Sequence, residues 1–275
     1  MTKTKILYLS SSPSDLDKLE SDKEFRAIHE NINDEFFKIK SVSNTQISDI
    51  QAVIFESQPD IIHFSGHGSS EDIILANDRN VSAGVFKPAF IKTFQNLKKK
   101  PELVFLNACQ TYHNLADLSY IVDFVIATDR KVSDPSAIMF ARNFYRFLSL
   151  GASITSSFNL ARNQFDIESL IIEAGSPARE AVFEGDQFNL DSLANEAKMY
   201  RLLVREGASN HKIFVKGHRD LDDRPEPSRQ KARKITKPES ENKILRFIKN
   251  YNNRIGNQTN YQTGDYTTII HNQTK

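Results

Sequence analysis

Short apolar runs alternate with longer stretches of helical periodicity over the first 218 residues. Ile6-Leu7-Tyr8-Leu9 is the first run, closed by Ser10-Ser11-Ser12-Pro13. It predicts a buried strand; its apolar part is too short for a secretion leader. Leu16, Leu19, Phe25, Ile28, Ile32, Phe36 and Phe37 then recur at three- and four-residue steps, which predicts a helix. Ile47, Ile50, Val53 and Ile54 predict a second helix, preceded by Ser and Asp capping candidates and halted at Pro59. Ile61 to Phe64 is the next strand. Phe86 to Leu97 reads as a helix, and Lys98-Lys99-Lys100 places positive charge at its C-terminal end. Two further strands follow, Leu103 to Leu106 and Ile121 to Ala127. A long helix from Pro135 to Leu148 is stopped by Gly151, and no element is assigned over much of 165–197. Met199 to Arg205 and Lys212 to Lys216 read as a terminal hairpin.

Apolar runs joined through helices describe an α/β fold with a mainly parallel sheet covered on both faces. After residue 219 the pattern changes. Residues 219–250 are charged, proline-containing and poor in apolar residues, as expected of a linker, with Lys243 to Tyr251 able to form a short basic amphipathic helix. Residues 251–275 repeat NQT, YQT and NQT among polar and β-forming residues. Such a segment is either a disordered tail or one that stacks as cross-β ladders. The expected division is therefore a folded domain over 1–218, a linker over 219–250 and a tail over 251–275.

Composition narrows the function classes. The formal net charge is +1 over 275 residues, which gives no basic footprint for nucleic acid. The basic stretch from Arg229 to Lys249 reads as a solvated linker. No apolar run is long enough for a membrane-spanning helix. No phosphate-cradling glycine motif occurs, and His63, His67, His113 and Cys109 lack the spacing of a close metal-ligand pair, so neither cofactor nor metal is expected. Cys109 is the single cysteine. An internal disulfide is excluded, and a reducing, cytoplasmic setting is the default. Cys109 itself is either a small buried hydrophobe or a nucleophile.

Candidate chemistry gathers where two strands end. In open α/β sheets, function collects beyond the carboxyl ends of the strands. His67 and Cys109 each sit about three residues past a predicted strand, ending at Phe64 and Leu106, and neighbouring parallel strands would bring both to one edge. A thiol of ordinary pKa is roughly 3% ionised at pH 7, and a nearby imidazole can take its proton on attack. The oxyanion then needs backbone donors, each worth on the order of 3 kcal/mol. Gly68 N–H and Cys109 N–H are the candidates. Gly66 and Gly68 are expected to let the main chain approach a substrate. Of the other histidines, His63 alternates with Phe64 and reads as a hydrogen-bonded core residue, and His113 reads as a solvated loop residue.

The motifs HFSGHG (63–68) and VFLNACQT (104–111) resemble the histidine and cysteine motifs of CHAT domains, the caspase-like cysteine peptidases of bacteria. KILYLSSSP, EFRAIHENI and the stretch from Val125 to Arg162 also look like family segments in order, so the resemblance covers roughly residues 3–165. It implies a caspase-like sheet between helices, with His67 as general base and Cys109 as nucleophile of an endopeptidase acting on protein or peptide substrates. It further implies a role in bacterial defence or regulated cell death. Asp129 and Asp134 are candidates for a pocket favouring Lys or Arg; alternatively Asp134 caps the helix beginning at Pro135. With no sensor module in the sequence, the tail is a candidate for docking an upstream sensor or for self-assembly. The competing class is a catalytically inactive assembly module acting through that tail, with Cys109 only packing.

Overall fold

The computed structural model describes residues 3–173, 195–208 and 267–270. The elements run, in chain order, β1 (Thr4–Ser11), α1 (Ser21–His29), β2 (Phe37–Val42), α2 (Ile50–Ser57), β3 (Ile61–Gly68), β4 (Asp72–Ala76) and β5 (Ser82–Phe86). They continue with α3 (Lys87–Gln95), β6 (Leu103–Asn107), β7 (Phe124–Thr128), α4 (Asp134–Ser149), α5 (Ile154–Glu173), β8 (Tyr200–Arg205) and β9 (Thr267–Ile270). A 3-10 turn at Ala116–Tyr120 separates β6 from β7.

One sheet orders its strands β2-β1-β3-β6-β7-β8-β9. The five strands from β2 to β7 are parallel, β8 is antiparallel to β7, and β9 is parallel to β8. This is the expected α/β architecture with a mainly parallel sheet. Side-chain alternation divides the core in two. Ile6, Tyr8, Ile61, Leu103, Phe105, Phe124 and Ile126 pack with Phe140, Phe144, Tyr145 and Phe158 from α4 and α5. Leu7, Leu9, Ile62, Phe64, Val104, Leu106 and Val125 pack on the other face with Ile50 and Ile54 of α2 and Phe90, Ile91 and Phe94 of α3. Parallel strands buried on both faces read as unbroken apolar runs, and Leu103-Val104-Phe105-Leu106 is fully buried for that reason.

Several expectations need correction. The helix expected from Leu16 to Phe37 is confined to α1, and Phe37 opens β2 instead. After α1 the chain turns at Asn33, whose carbonyl accepts Phe36 and Phe37 N–H at 3.0 Å each and whose side chain accepts Glu35 N–H at 2.8 Å, an Asx turn leading into β2. Phe37-Lys38-Ile39-Lys40 then alternates with period two at the sheet edge. The β4–β5 hairpin was not foreseen; it pairs with only the last two residues of β3, which reaches four residues beyond Phe64. The strand expected from Ile121 begins at Phe124. The long α5 was likewise unassigned. The first half of the terminal hairpin is β8, whereas Lys212 to Lys216, the linker and the basic helix candidate lie outside the described residues. By contact, the described residues all belong to one compact unit.

Candidate active site

The register of β3 and β6 decides what meets at the rim. Ser65 pairs with Asn107, so continuing two residues along each chain brings His67 level with Cys109. Alternation does the rest. His63, Ser65 and His67 share one face of β3, and Phe105, Asn107 and Cys109 continue the same face of β6, beneath α1 and α4. His67 and Cys109 are both half-buried and line one cleft. Its walls come from the start of α1 (Leu19, Glu20, Ser21, Glu24), the end of β7 (Thr128) and the start of α4 (Asp134, Ala137, Ile138).

The imidazole is oriented by a backbone group that sequence alone did not reveal. Its Nε2 lies 2.8 Å from the carbonyl oxygen of Asp17. A carbonyl can only accept, so Nε2 carries the proton and the neutral ring keeps its lone pair on Nδ1. The Cys109 turn is tied to β7. Thr111 and Thr128 hydroxyls donate to the Ala108 carbonyl at 2.8 and 2.6 Å, and Tyr112 N–H donates to Thr128 O at 2.8 Å. Cys109 N–H donates to no acceptor among the described residues, which leaves it available to an oxyanion.

Gly66 and Gly68 serve packing rather than substrate approach. A Cβ on Gly68 would lie 2.7 Å from the Cys109 carbonyl, and one on Gly66 would lie 2.6 Å from the Phe64 ring. The space beside each glycine is already filled by the protein: Gly66 leaves room for the Phe64 ring, and Gly68 lets the tip of β3 touch the Cys109 loop.

Beneath the cleft lies a buried polar network centred on Glu24, another residue missed in the sequence. Its carboxylate accepts His63 Nε2–H at 2.7 Å, Asn107 Nδ2–H at 2.6 Å and the Ser65 hydroxyl at 2.6 Å. Tyr145 OH lies 3.2 Å from His63 Nδ1, and Tyr200 OH donates to Asn107 Oδ1 at 2.8 Å. Burial pushes both phenols up, with Glu24 adding to the effect, so they stay protonated donors. His63 is thus the core histidine its strand position indicated. His113 is exposed, with Nε2 3.3 Å from the Asp129 carbonyl.

The two pocket candidates part company. Asp134 lines the cleft in the first turn of α4; Ser133 is the N-cap, and Asp134 Oδ2 accepts Glu20 N–H at 2.8 Å instead of capping its own helix. Burial raises its pKa above the ordinary carboxylate range, against the opposing effects of the Glu20 hydrogen bond and His67. Asp129 is not among the cleft residues and forms an ion pair with Arg201 of β8. Among the described residues no group of three or more His, Cys, Asp or Glu is arranged for a metal ion. No helix among them is long and apolar enough to cross a membrane.

The CHAT domain family model matches residues 9–166, from within β1 into α5. This chain belongs to the CHAT domain family. The match contains both motif loops, the cleft and the Glu24 network up to Tyr145, and ends before β8. Similar curated proteins are a Roc-COR-CHAT protease from an unknown prokaryotic organism, 26% identical over 160 residues, and a probable protease of Gillisia limnaea, 23% identical over 156. The alignments take in 52% and 53% of this chain but 15% and 27% of those proteins, so the chain spans a small part of their length. Among solved structures, caspase-1 of Spodoptera frugiperda superposes with a TM-score of 0.42 at 12% identity, covering 59% of this chain and 76% of that chain. The fold described for this CHAT domain rests on its own strand order and not on that likeness.

Proposed function

We propose that this CHAT domain is a cysteine endopeptidase in which Cys109 is the nucleophile and His67 the general base. The observation that carries the reading is a thiol and an imidazole in one cleft, with the imidazole's Nε2–H committed to Asp17 O. Nδ1 takes the thiol proton as sulfur attacks the peptide carbonyl, and the Asp17 carbonyl stabilises the imidazolium through Nε2–H. The proton passes to the departing amine, leaving an acyl-enzyme. Water activated by His67 then releases the acid and restores the thiol. Cys109 N–H and Gly68 N–H are the donors assigned to the oxyanion.

The cleft also supports a substrate class. Glu20, Glu24 and Asp134 line it, and among the described residues no Lys or Arg does. Glu24 is consumed by its own network and Glu20 pairs with Lys23, which leaves Asp134 as the carboxylate for a basic side chain preceding the cut. The proposed substrates are therefore proteins cleaved after Lys or Arg. A role in bacterial defence or regulated cell death, switched on by a partner that docks the 251–275 tail, belongs to the same proposal. The capacity of Thr267–Ile270 to form strand β9 supports it.

The test is a proteome-wide map of new N-termini, comparing the wild-type chain with Cys109→Ala and His67→Ala. The expected outcome is a set of termini preceded by Lys or Arg that appears only with the wild-type chain, and a fall in turnover of at least about a thousandfold in either variant with the fold retained. Identical maps would mean that the domain acts without catalysis, as an assembly module.

A further inference from the structure

Lys87 opens α3, directly after the hairpin strand β5, and is completely buried. A buried ammonium is costly unless its three N–H groups find acceptors. Here the acceptors are main-chain carbonyls from two separate loops. Ser69 O at 2.9 Å and Ser70 O at 2.7 Å belong to the turn that follows His67-Gly68. Gln110 O at 3.2 Å and His113 O at 2.8 Å belong to the turn that follows Cys109.

The Cys109 loop is bent to make this contact. Gln110 and Asn114 both hold left-handed backbone, with φ of 56° and 59°, and between them they turn the 110 and 113 carbonyls inward. Asn114 reinforces the join, its Nδ2 lying 3.3 Å from Ser70 O and 3.2 Å from either carboxylate oxygen of Glu71. Four carbonyl dipoles from two loops converge on one point. Without a cation there, they would face one another unpaired.

We propose that Lys87 is a positioning residue: its ammonium ties the loop behind His67 to the loop behind Cys109, and so sets the imidazole and thiol at their working separation. The catalytic consequence rests on the peptidase reading above; the structural tie does not. Burial pushes the ammonium down to about 8, while Glu71 and Asp72, the acidic groups whose charge reaches it, act in the opposite direction. His113 presents its carbonyl to Lys87 and turns its ring toward the Asp129 carbonyl. Deprotonation removes both the charge and one donor, so the tie loosens as pH rises through about 8.

The test uses the full chain with Lys87→Met, which keeps length without charge or donors, and Lys87→Gln, which keeps two donors. Hydrogen exchange at residues 69–71 and 110–114 is read against α2 on the same face of the sheet. Peptide kcat and KM and the rate of Cys109 alkylation by iodoacetamide are measured beside it. In Lys87→Met, both loops are expected to exchange at least about tenfold faster with α2 unchanged. kcat is expected to fall about thirtyfold or more with KM within about threefold, Lys87→Gln lying between. The pH dependence of Cys109 alkylation is expected to shift, because His67 no longer sits beside the thiol; a lysine that only stabilised the fold would leave it unmoved. Loop exchange within about twofold of wild type overturns the proposal. An active wild type whose kcat survives in Lys87→Met also overturns it and leaves the peptidase reading standing. Loosened loops in a chain with no peptide turnover would keep the tie and end the peptidase reading. If neither variant folds, the wild-type chain decides. Between about pH 7 and 9.5, after correction for intrinsic exchange, the two loops must lose protection while α2 keeps it, and equal protection overturns the proposal.

Discussion

At the scale of the residue, the cleft separates charges by environment. Glu24 is buried yet accepts three hydrogen bonds, so its carboxylate anchors the tips of β3 and β6 through Ser65, His63 and Asn107. Asp134 has one such bond and a pKa raised by burial. The sign follows from that direction. A carboxyl protonated more readily in the folded state stabilises the fold fully below its unfolded pKa, and that contribution is lost as pH rises through the folded value. Asp134→Asn is therefore expected to melt at or above the wild-type temperature at pH 7, the difference vanishing in acid. The same variant is expected to lose roughly tenfold or more in kcat/KM on peptides with Lys or Arg before the cut, the scale of one charged hydrogen bond, with little change on neutral ones. A lower melting temperature at pH 7 would contradict the burial argument, and an unchanged preference would remove Asp134 from the pocket. His67 and Cys109 were legible as single residues because each follows a strongly apolar run. Asp17 and Glu24 were not. One acts through a carbonyl, which carries no residue identity, and the other sits among exposed charges on an amphipathic helix.

At the scale of the element, the site depends on how closely two strand ends approach. β3 and β6 are parallel neighbours in register, and the tip of β3 touches the loop beyond β6 because Gly68 has no side chain. Gly68→Ala would place a methyl group 2.7 Å from the Cys109 carbonyl and 2.9 Å from Thr111 Cγ2. The threonine hydroxyls on Ala108 O restrain the loop from yielding. The variant is expected to cost about 1–3 kcal/mol of stability, as overpacking does, and to lower kcat by about tenfold to a hundredfold through misplacement of the thiol. Urea unfolding and steady-state kinetics check both; full activity would mean the loops are free to separate. The same closeness explains an element that sequence reading missed. The hairpin β4–β5 has little periodic signal because β4 pairs only at the tip of β3, and its worth lies in carrying Lys87 under both loops.

At the scale of the whole molecule, one aromatic cluster supports the rim from below. Phe105, two residues before Asn107, lies tilted against His63 with ring centroids 4.5 Å apart and meets Phe144 and Phe140 edge-on at 5.6 and 5.8 Å. Phe105→Ala is expected to destabilise the domain by about 3–5 kcal/mol in urea unfolding, the usual cost of emptying a core phenylalanine site. A loss below about 1 kcal/mol would mean that this face is not packed as described. What the amino-acid sequence determined unaided was the set of central strands, their burial on both faces and the two strand ends near which His67 and Cys109 lie. Burial is written locally, in runs and alternations that need no partner to be read. The tertiary structure alone decided which side chains meet. Glu24 reaches His63, Ser65 and Asn107 across separations of 39, 41 and 83 residues, and Lys87 spans two loops at once. Such contacts follow from strand register and helix docking, which are properties of the assembled sheet and leave no periodic trace in the chain.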